Sequence, residues 1–389
     1  MVKDGIKHTI CTAMAVLSAA CGGTTAVVAE NQAPVMDRGA LELEQGCVSG
    51  DMHSCSQLAE RLEVGQGVPA DPVKAAVLFD EACRAGDMPS CGKLGALYRV
   101  GLGVPRDEAR AGDLLSAACK SGDTGSCAQW GVLLETGRGR DLALALRLYQ
   151  GACEKKDPRG CNNLASMYAD GRGTAQDYTK AVELFGFACN ANYPPGCANL
   201  GNLFESGRGT NRDPARAVSF YERACELGGG SGCLLLGLAY QRGSGVPTNE
   251  VKALEYLQKS CNVGHAAGCN YAAILYEQGA GVAKSPENAK RMRDLACKFG
   301  SGNACAWLGE LCEADGPGKC WAERTLWYYL HACASGHSLS CIKAGIAYQK
   351  GNGVQKDLRR AADLIRRACE AGDKVACAQL REPELAPYR

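Results

Sequence analysis

Cysteine pairs with seven residues between their members recur along almost the whole 389-residue chain, as in Cys83-RAGDMPS-Cys91. Ten pairs share one register, and their first cysteines lie 36 residues apart except for a single step of 34 residues. A period of this length is typical of a solenoid, in which each unit buries its apolar face only by stacking on its neighbours. The pairs are Cys47–Cys55, Cys83–Cys91, Cys119–Cys127, Cys153–Cys161, Cys189–Cys197, Cys225–Cys233, Cys261–Cys269, Cys297–Cys305, Cys333–Cys341 and Cys369–Cys377.

Each pair is predicted to form a disulfide across a turn. On one continuous helix the two cysteines would lie about 12 Å apart, whereas a disulfide needs Cα atoms within about 7 Å. Glycines just after the first cysteine, such as Gly86 and Gly122, supply the reversal, because glycine commonly ends helices. The alternative is zinc, but zinc cysteines usually lie two to four residues apart, so we expect no metal.

The number of cysteines also favours oxidation. From Cys47 onward the chain has 22 cysteines, an even set that leaves no orphan thiol. Cys312 and Cys320 lie outside the register but have the same seven-residue gap, so we predict an eleventh bridge, Cys312–Cys320. So many disulfides imply an oxidising compartment, which in a bacterium is the periplasm or the cell exterior.

Residues 1–21 are predicted to be a secretory signal that ends at a lipidated cysteine, Cys21. Leu17-Ser-Ala-Ala-Cys21 resembles a bacterial lipobox, although its large aliphatic residue stands one position early. Residues 22–36 would then be a flexible tether to the periplasmic or outer membrane surface. The alternative is cleavage after Ala29, which would release a soluble secreted protein. No other segment approaches 18 consecutive apolar residues, so we expect membrane attachment only through the lipid.

The residues after each second cysteine predict two helices per repeat. In Cys161-NNLASMY, the residues three, four and seven positions after the cysteine lie on one helical face. A Gly-x-Gly turn follows at Gly171 and Gly173, and Asp177 then stands at the N-cap of a second helix. We predict an all-α solenoid of about nine helix-turn-helix units over residues 37–381, with residues 382–389 as a frayed tail.

The pattern C-x-x-L-G-x-x-Y-x-x-G-x-G-V-x-x-D-x-x-K-A, almost intact at Cys55–Ala75 and Cys91–Ala111, resembles the Sel-like repeat family, which is related to the tetratricopeptide repeats. The cysteine spacing resembles the Helicobacter cysteine-rich protein type in particular. The resemblance implies a right-handed αα-superhelix, bridged C-x₇-C pairs, secretion, and a concave face that binds an extended peptide or an envelope fragment such as peptidoglycan. Some members are also described as binding penicillin and hydrolysing β-lactams slowly.

Weak β-lactam hydrolysis is therefore the alternative function. Serine enzymes of that kind use Ser-x-x-Lys, Ser-x-Asn and Lys-[Thr/Ser]-Gly elements. All short matches lie in the turns between paired cysteines, where serine serves as an N-cap and glycine as a C-cap, and their order differs from that of the enzymes. We expect no catalytic residue and no cofactor. The matches are Ser90–Lys93, Ser340–Lys343, Ser301–Asn303 and Lys120–Gly122.

Binding of a protein or extended peptide by a monomer is the preferred interpretation. The net charge of +1 gives no reason to expect nucleic acid. Positions one, two, five and eight after the second cysteine should face the concave side, where asparagine can bond to both the N–H and the C=O of a peptide. The alternative is that these asparagines only cap their helices. The candidates are Asn162, Asn163, Asn199, Asn202 and Asn270.

The unit after Cys305 departs from the pattern and is the predicted hot spot. Cys312 replaces the usual aromatic residue, and Trp307 stands where other units carry Asn163 or Asn199. Tryptophan is enriched at binding hot spots, so Trp307 is the sixth candidate for partner binding. We expect Trp327, further along the same unit, to be buried in the core, and for Trp321 a core position and a role in binding both stay open.

Overall fold

The computed structural model of the protein describes residues 36–315 and 322–388, and over these residues every regular element is a helix. A short 3₁₀ helix, Ala386–Tyr388, follows the last α-helix. The α-helices are α1 (Arg38–Val48), α2 (Met52–Val64), α3 (Pro72–Arg84), α4 (Met88–Val100), α5 (Glu108–Lys120), α6 (Thr124–Thr136), α7 (Leu142–Glu154), α8 (Pro158–Asp170), α9 (Tyr178–Asn190), α10 (Pro194–Ser206), α11 (Pro214–Glu226), α12 (Gly230–Arg242), α13 (Glu250–Asn262), α14 (Ala266–Gln278), α15 (Pro286–Lys298), α16 (Gly302–Asp315), α17 (Ala322–Ala334), α18 (Ser338–Lys350), α19 (Leu358–Glu370) and α20 (Lys374–Gln379).

The helices pair into nine units, from unit 1 (α2 and α3) to unit 9 (α18 and α19), with α1 before them and α20 after them. Each helix packs against the helices directly before and after it in the chain. Successive even-numbered helices also contact one another from α4 to α14, whereas the contacts between successive odd-numbered helices join α13, α15 and α17. From α4 to α14 the row of even-numbered helices therefore lies on the inner side of the array. This architecture confirms the predicted all-α solenoid.

A small residue four positions after each second cysteine lets the two helices of a unit approach closely. A Cβ atom added at Gly201 would lie 2.5 Å from the ring of Tyr221, and one at Gly237 would lie 2.9 Å from Leu257. Tyr221 and Leu257 occupy corresponding positions on α11 and α13, and both side chains are fully buried. The core of each unit therefore sits directly beneath its even-numbered helix.

In units 2, 4, 5, 6 and 9 the turn between the two helices has a glycine with positive φ, and a cation from the second helix lies over an aromatic ring of the first. Gly209 has φ 71°, and a Cβ there would lie 2.5 Å from the carbonyl oxygen of Tyr178 in the preceding unit, so only glycine fits. The guanidinium of Arg216 lies 4.4 Å from the ring centre of Phe204, which is the seventh residue after its cysteine. Such a contact links the two helices of a unit.

Ten disulfides join each odd-numbered helix to the next even-numbered helix. The bonded cysteines have Cα atoms 4.4–4.7 Å apart, and a residue with positive φ, such as Gly86 or Asn192, makes the reversal between them. These bonds confirm the ten predicted pairs. The predicted Cys312–Cys320 bridge lies outside the described residues because Cys320 does.

Five even-numbered helices (α2, α4, α6, α8 and α20) begin at an aspartate whose carboxylate accepts hydrogen bonds from the first turn, as Asp87 does in α4. Three successive even-numbered helices differ. Their N-cap residues are Tyr193, Gly229 and His265, and none of them makes a side-chain cap bond. The imidazole of His337, in contrast, caps α18 by accepting from the backbone N–H of Ser340.

The last residues pack against unit 9, so the prediction of a frayed tail was wrong. Leu385 is fully buried in the final core cluster. The carboxylate of Glu384 accepts hydrogen bonds from Gln349 and Lys356, each at 2.8 Å. An apolar side chain covers the open end of the solenoid here, which a purely polar tail could not do.

The predicted signal (residues 1–21), the lipidation of Cys21 and the alternative cleavage after Ala29 all lie outside the described residues, as does the predicted tether except for Met36. In the part of the chain that the structure describes, no helix combines the length and the apolar character needed to cross a membrane.

Candidate binding surface on the inner helix row

The inner row is the surface formed by residues two, five and eight positions after the second cysteine of each unit. Side chains on it reach from one even-numbered helix to the next. The ammonium of Lys93, at position two of unit 2, lies 3.0 Å from a carboxylate oxygen of Glu60, at position five of unit 1. Lys343 and Glu310 make the same contact between units 9 and 8, at 3.5 Å. Side chains of the inner row therefore connect unit 1 with unit 2 and unit 8 with unit 9.

Three of the predicted asparagines form a hydrogen-bonded chain between units 4 and 5. Asn162 is only 7% exposed, and its Oδ1 accepts from Nδ2 of Asn199 at 3.0 Å. Its own Nδ2 donates to Oδ1 of Asn163 at 3.2 Å. Asn162 thus connects two units rather than facing a ligand. Among the described residues, Nδ2 of Asn163 and Oδ1 of Asn199 keep no partner, and both residues are half-buried.

The other two predicted asparagines have different surroundings. Asn202 is exposed, and its Oδ1 lies 2.8 Å from the hydroxyl of Tyr221, whose single proton is shared between Asn202 and Glu205, while the amide nitrogen of Asn202 stays open. Asn270 donates to Oγ of Ser301 at 2.9 Å, and its buried Oδ1 has no hydrogen-bond partner in the structure. Asn163, Asn199 and Asn202 therefore retain open amide groups on the inner row.

Buried tyrosines hold glutamates at position eight in units 3 and 5. The hydroxyl of Tyr149 donates to Glu135 at 2.8 Å, and that of Tyr221 donates to Glu205 at 2.9 Å. Burial, together with the adjacent carboxylate, raises the pKa of both tyrosines, so the hydroxyls remain protonated donors. We missed these pairs from the sequence. The sequence signal for such a pair is a glycine four residues and a glutamate eight residues after the second cysteine of the unit.

Charged groups lie on the inner row of units 2 and 3 and beside it in unit 4. Glu135 also accepts from the guanidinium of Arg172 at 2.6 Å. Arg99, at position eight of unit 2, is half-buried, and its Nε is buried without a hydrogen-bond partner. Burial lowers the pKa of Arg99. Its guanidinium makes no ion pair with any described residue and can donate to an incoming acceptor.

An apolar strip lies on the inner row of units 6 to 8. Leu235, Tyr271 and Trp307 stand at position two of three successive even-numbered helices, and each is half-buried against the largest core cluster. We call these three residues the apolar strip. The predicted role of Trp307 in partner binding stays a prediction.

Trp307 is held by an arginine from the preceding unit. The guanidinium carbon of Arg293 lies 4.6 Å from the centre of the Trp307 ring. Both Nε and Nη2 of Arg293 donate to the carboxylate of Glu277 at 2.9–3.0 Å, and the arginine side chain is only 16% exposed. A buried two-point contact of this kind fixes the guanidinium plane, so the indole has a rigid support.

Two carboxylates share one ammonium at the end of the strip. Lys343 donates to Glu313 at 3.0 Å and to the hydroxyl of Tyr329 at 3.0 Å, with Glu310 at 3.5 Å. The lysine side chain is 24% exposed, whereas Glu310 and Glu313 are 52% and 49% exposed. The carboxylates are thus the groups that face solvent. We call Glu310 and Glu313 the acidic pair.

Trp327 lies outside the inner row, and the prediction that it is buried was wrong. Its side chain is 39% exposed, and its ring stacks on His331 one helical turn later in α17. The core-facing residues of α17 include Leu326 and Tyr329, which places Trp327 on the opposite face. Trp321 lies outside the described residues.

The serine and lysine residues of the β-lactam motifs have other partners. The hydroxyl of Ser340 bonds to Nδ1 of His337 at 2.9 Å, whereas Lys343 binds the acidic pair. Ser90 donates to Ser56 at 2.9 Å, whereas Lys93 binds Glu60. In the described part of the chain, neither serine hydroxyl is hydrogen-bonded to its motif lysine. Ser121 donates to the carbonyl of Ala118, as a helix-end residue does.

Comparison with known families identifies the repeat. Eight segments match the Sel1 repeat, namely residues 53–87, 89–123, 125–157, 158–193, 194–229, 230–265, 266–298 and 338–373. The chain belongs to the Sel1 repeat family. These proteins are generally scaffolds for protein interaction. The match confirms the predicted family, and it leaves out residues 299–337, which contain the divergent unit 8.

Several solved structures are similar to this Sel1 repeat chain. A protective antigen of uropathogenic Escherichia coli with an SLR fold shares 27% identity over 88% of this chain and 81% of its own, with a TM-score of 0.42. A Sel1 repeat protein from Oxalobacter formigenes shares 21% identity over 67% and 97%, with a TM-score of 0.49. Cysteine rich protein B of Helicobacter pylori shares 31% identity over 35% and 98%, with a TM-score of 0.29. The comparison with curated proteins gives no significant match.

Proposed function

We propose that this Sel1 repeat protein is a monomeric, non-catalytic scaffold that binds a protein or an extended peptide along its inner row. The apolar strip carries the proposal. Leu235, Tyr271 and Trp307 offer three half-buried apolar side chains at the same position of successive helices. Large aromatic side chains with rigid support are the residues that most often dominate binding energy, because little conformational freedom is lost on association.

Open amide groups beside the strip favour a peptide as the ligand. Asn163, Asn199 and Asn202 precede the strip on the inner row and retain unpaired donors or acceptors. An extended backbone presents N–H and C=O groups that can satisfy them. Peptidoglycan fragments carry similar amide groups, so an envelope fragment is the second partner class that a binding experiment must distinguish.

We further propose that the protein works in the periplasm or at the cell surface, attached through a lipid on Cys21. The ten disulfides support an oxidising extracellular or periplasmic environment. The Cys21→Ser substitution should release the protein from the membrane fraction or leave its signal uncleaved. Unchanged membrane association would favour cleavage after Ala29 and a secreted form.

The binding proposal is tested with two tryptophan variants. The oxidised protein is used as bait in an envelope extract, together with Trp307→Ala and the matched control Trp327→Ala. Trp327 is an exposed tryptophan of the same unit, but it lies on α17 outside the inner row. Trp307→Ala should weaken binding of the retained partner by about 1–2 kcal/mol, and the control should not.

Equal retention by the wild type and both variants would refute the apolar strip as the binding surface. A lower thermal midpoint of Trp307→Ala without loss of affinity would assign Trp307 to the core. Retention of a peptidoglycan fragment instead of a protein would correct the partner class. The contacts of Ser90 and Ser340 favour this binding role over β-lactam hydrolysis.

A further inference from the structure

Resting on the proposed function, we infer that the segment bound by the inner row is cationic as well as apolar. It would carry a large apolar side chain for the apolar strip and a lysine or arginine directly beyond it, for the acidic pair. This assigns both the chemical class of the partner segment and its direction along the solenoid.

The two sides of the apolar strip differ in charge. On the unit 5 side, positions two and five of the inner row carry the neutral Asn199 and Asn202. On the unit 8 side, Glu310 and Glu313 follow Trp307 by three and six residues on the same helix. Residues three apart are neighbours on a helix, so Glu310 adjoins the indole and Glu313 adjoins Glu310, and Lys343 contacts both carboxylates. The acidic pair therefore gives the unit 8 side of the strip a negative charge that Asn199 and Asn202 do not supply on the other side.

The glutamate on the unit 5 side does not remove this difference. Glu205, at position eight of unit 5, is half-buried, and its carboxylate accepts hydrogen bonds from the hydroxyls of Tyr221 at 2.9 Å and Ser244 at 3.0 Å. Glu310 and Glu313 are in contrast about half exposed. A ligand on the inner row therefore meets more accessible carboxylates at the unit 8 side.

The cations near the acidic pair are more buried than the carboxylates. Lys343 is 24% exposed and is shared by both glutamates, which are each about half exposed. Arg293 is committed to Glu277 by three hydrogen bonds, and its guanidinium face lies on Trp307. Two carboxylates against one shared ammonium leave an excess negative charge at the surface.

Charge complementarity then defines the ligand. A lysine or arginine placed after an apolar residue would meet Glu310 and Glu313 while the apolar residue contacts Trp307. An acidic residue in that place would be repelled, which gives discrimination as well as affinity.

The test uses three synthetic fluorescein-labelled peptides of 15 residues in a Gly/Ser/Asn background, each with Leu and Phe in the centre. They differ only in two residues on one side of the centre, which are both Lys, both Gln or both Glu. Fluorescence anisotropy with the oxidised full-length protein should show the Lys peptide binding about five-fold more tightly than the Gln peptide, and the Glu peptide binding less tightly. The Lys preference should shrink at 0.5 M salt because of screening.

Two protein variants locate the effect. The double variant Glu310→Gln/Glu313→Gln should lose the preference for the Lys peptide. Glu60→Gln is the matched control, because Glu60 is also at position five, is 51% exposed and pairs with the position-two lysine of the next unit. It lies in unit 1, far from the strip, and should keep the full preference.

The results separate this inference from the proposed function. Equal affinity for the Lys and Gln peptides, tighter binding of the Glu peptide, or no binding of any of the three overturns the cationic assignment. A Lys preference that survives the double variant also overturns it. If the Gln peptide binds in a Trp307-dependent manner without charge preference, the proposed function stands and only the inference fails. Loss of partner retention in the envelope experiment remains the separate test of the proposed function.

Discussion

Units 5 and 7 carry a glutamate at the same position of the inner row, but its partner differs. In unit 5, Glu205 accepts a hydrogen bond at 2.9 Å from Tyr221, whose ring is buried beneath Gly201. In unit 7, Glu277 accepts from the guanidinium of Arg293 at 2.9–3.0 Å. Arg293 stands 72 residues after Tyr221, which is two regular periods, and so takes the place of the tyrosine.

Tyr221 contacts groups within its own unit, whereas Arg293 also contacts the next unit. The tyrosine ring fills space inside its own unit, and its single hydroxyl is used by the glutamate and Asn202. A guanidinium has a planar face as well as its donors, so Arg293 also supports the ring of Trp307 in unit 8. One residue on α15 thus changes a self-contained unit into one that positions an aromatic side chain of its neighbour.

Reduction of the disulfides, which units 5 and 7 both contain, should have the largest effect on stability. Each disulfide closes a short loop and is expected to stabilise the fold by about 2–3 kcal/mol in the chain-entropy model. Because neighbouring units share packing surface, the thermal midpoint of the whole array should fall when circular dichroism is followed in reductant. An unchanged midpoint would show that packing alone holds the units.

Tyr221→Ala should be the most damaging single change in the comparison. The side chain is fully buried, and its removal leaves a cavity and takes away the hydroxyl that donates to the Glu205 carboxylate. We expect a loss of about 3–5 kcal/mol in the free energy of unfolding, measured by urea denaturation of the oxidised protein. A loss below about 1 kcal/mol would mean that unit 5 is not organised around this ring.

Arg293→Ala should reduce stability less than Tyr221→Ala does and should weaken partner binding more. Glu277 is 37% exposed, so solvent compensates part of the lost ion pair, and we expect a loss of about 1–2 kcal/mol. Removal of the guanidinium should also change the fluorescence emission of Trp307 and weaken partner binding. The matched control is Arg216→Ala in unit 5, because Arg216 covers Phe204 at a similar distance, 4.4 Å, away from the inner row. Equal effects of the two variants on binding would contradict a positioning role for Arg293.

His265→Asp should give unit 7 an N-cap that both compared units lack. Tyr193 and His265 begin α10 and α14 without a side-chain cap bond, whereas aspartate caps most other even-numbered helices. We expect a gain of about 1 kcal/mol in urea denaturation. His337→Asp is the control, because His337 already caps α18 and its replacement should change little.

The smallest expected effect is on the pH dependence of folding stability in acid. Partial burial lowers the pKa of His265 below its ordinary value of 6.5, so the folded protein favours the neutral imidazole. As the pH falls, His265 takes up its proton in the unfolded chain before it does so in the folded protein. The neutral imidazole therefore causes no loss of folding stability above about pH 6.5, and the free energy of unfolding decreases below that pH. His265→Asn should reduce the loss of stability between pH 6.5 and pH 5, measured by urea denaturation. An identical pH dependence of the variant would show that His265 does not contribute.

Several features of the fold could be predicted because they depend on spacing within one repeat. The cysteine period, the turn glycines and the small residue at position four all act between residues that are close in the chain. The ten disulfides and the all-α solenoid followed from them. A local pattern of this kind repeats in every unit, so one repeat supports the interpretation of the next.

The partners of the inner-row side chains were decided by the tertiary structure. Asn162 and Asn199 are 37 residues apart in the chain, and the distance between their amide groups depends on how two units stack. The exposure of Trp327 and the burial of Leu385 likewise depend on which face of the array is covered. The sequence by itself determined the repeat and its bridges, because these follow from chain-local geometry. Only the stacked structure decided which charges are paired, because long polar side chains choose among neighbours from several helices.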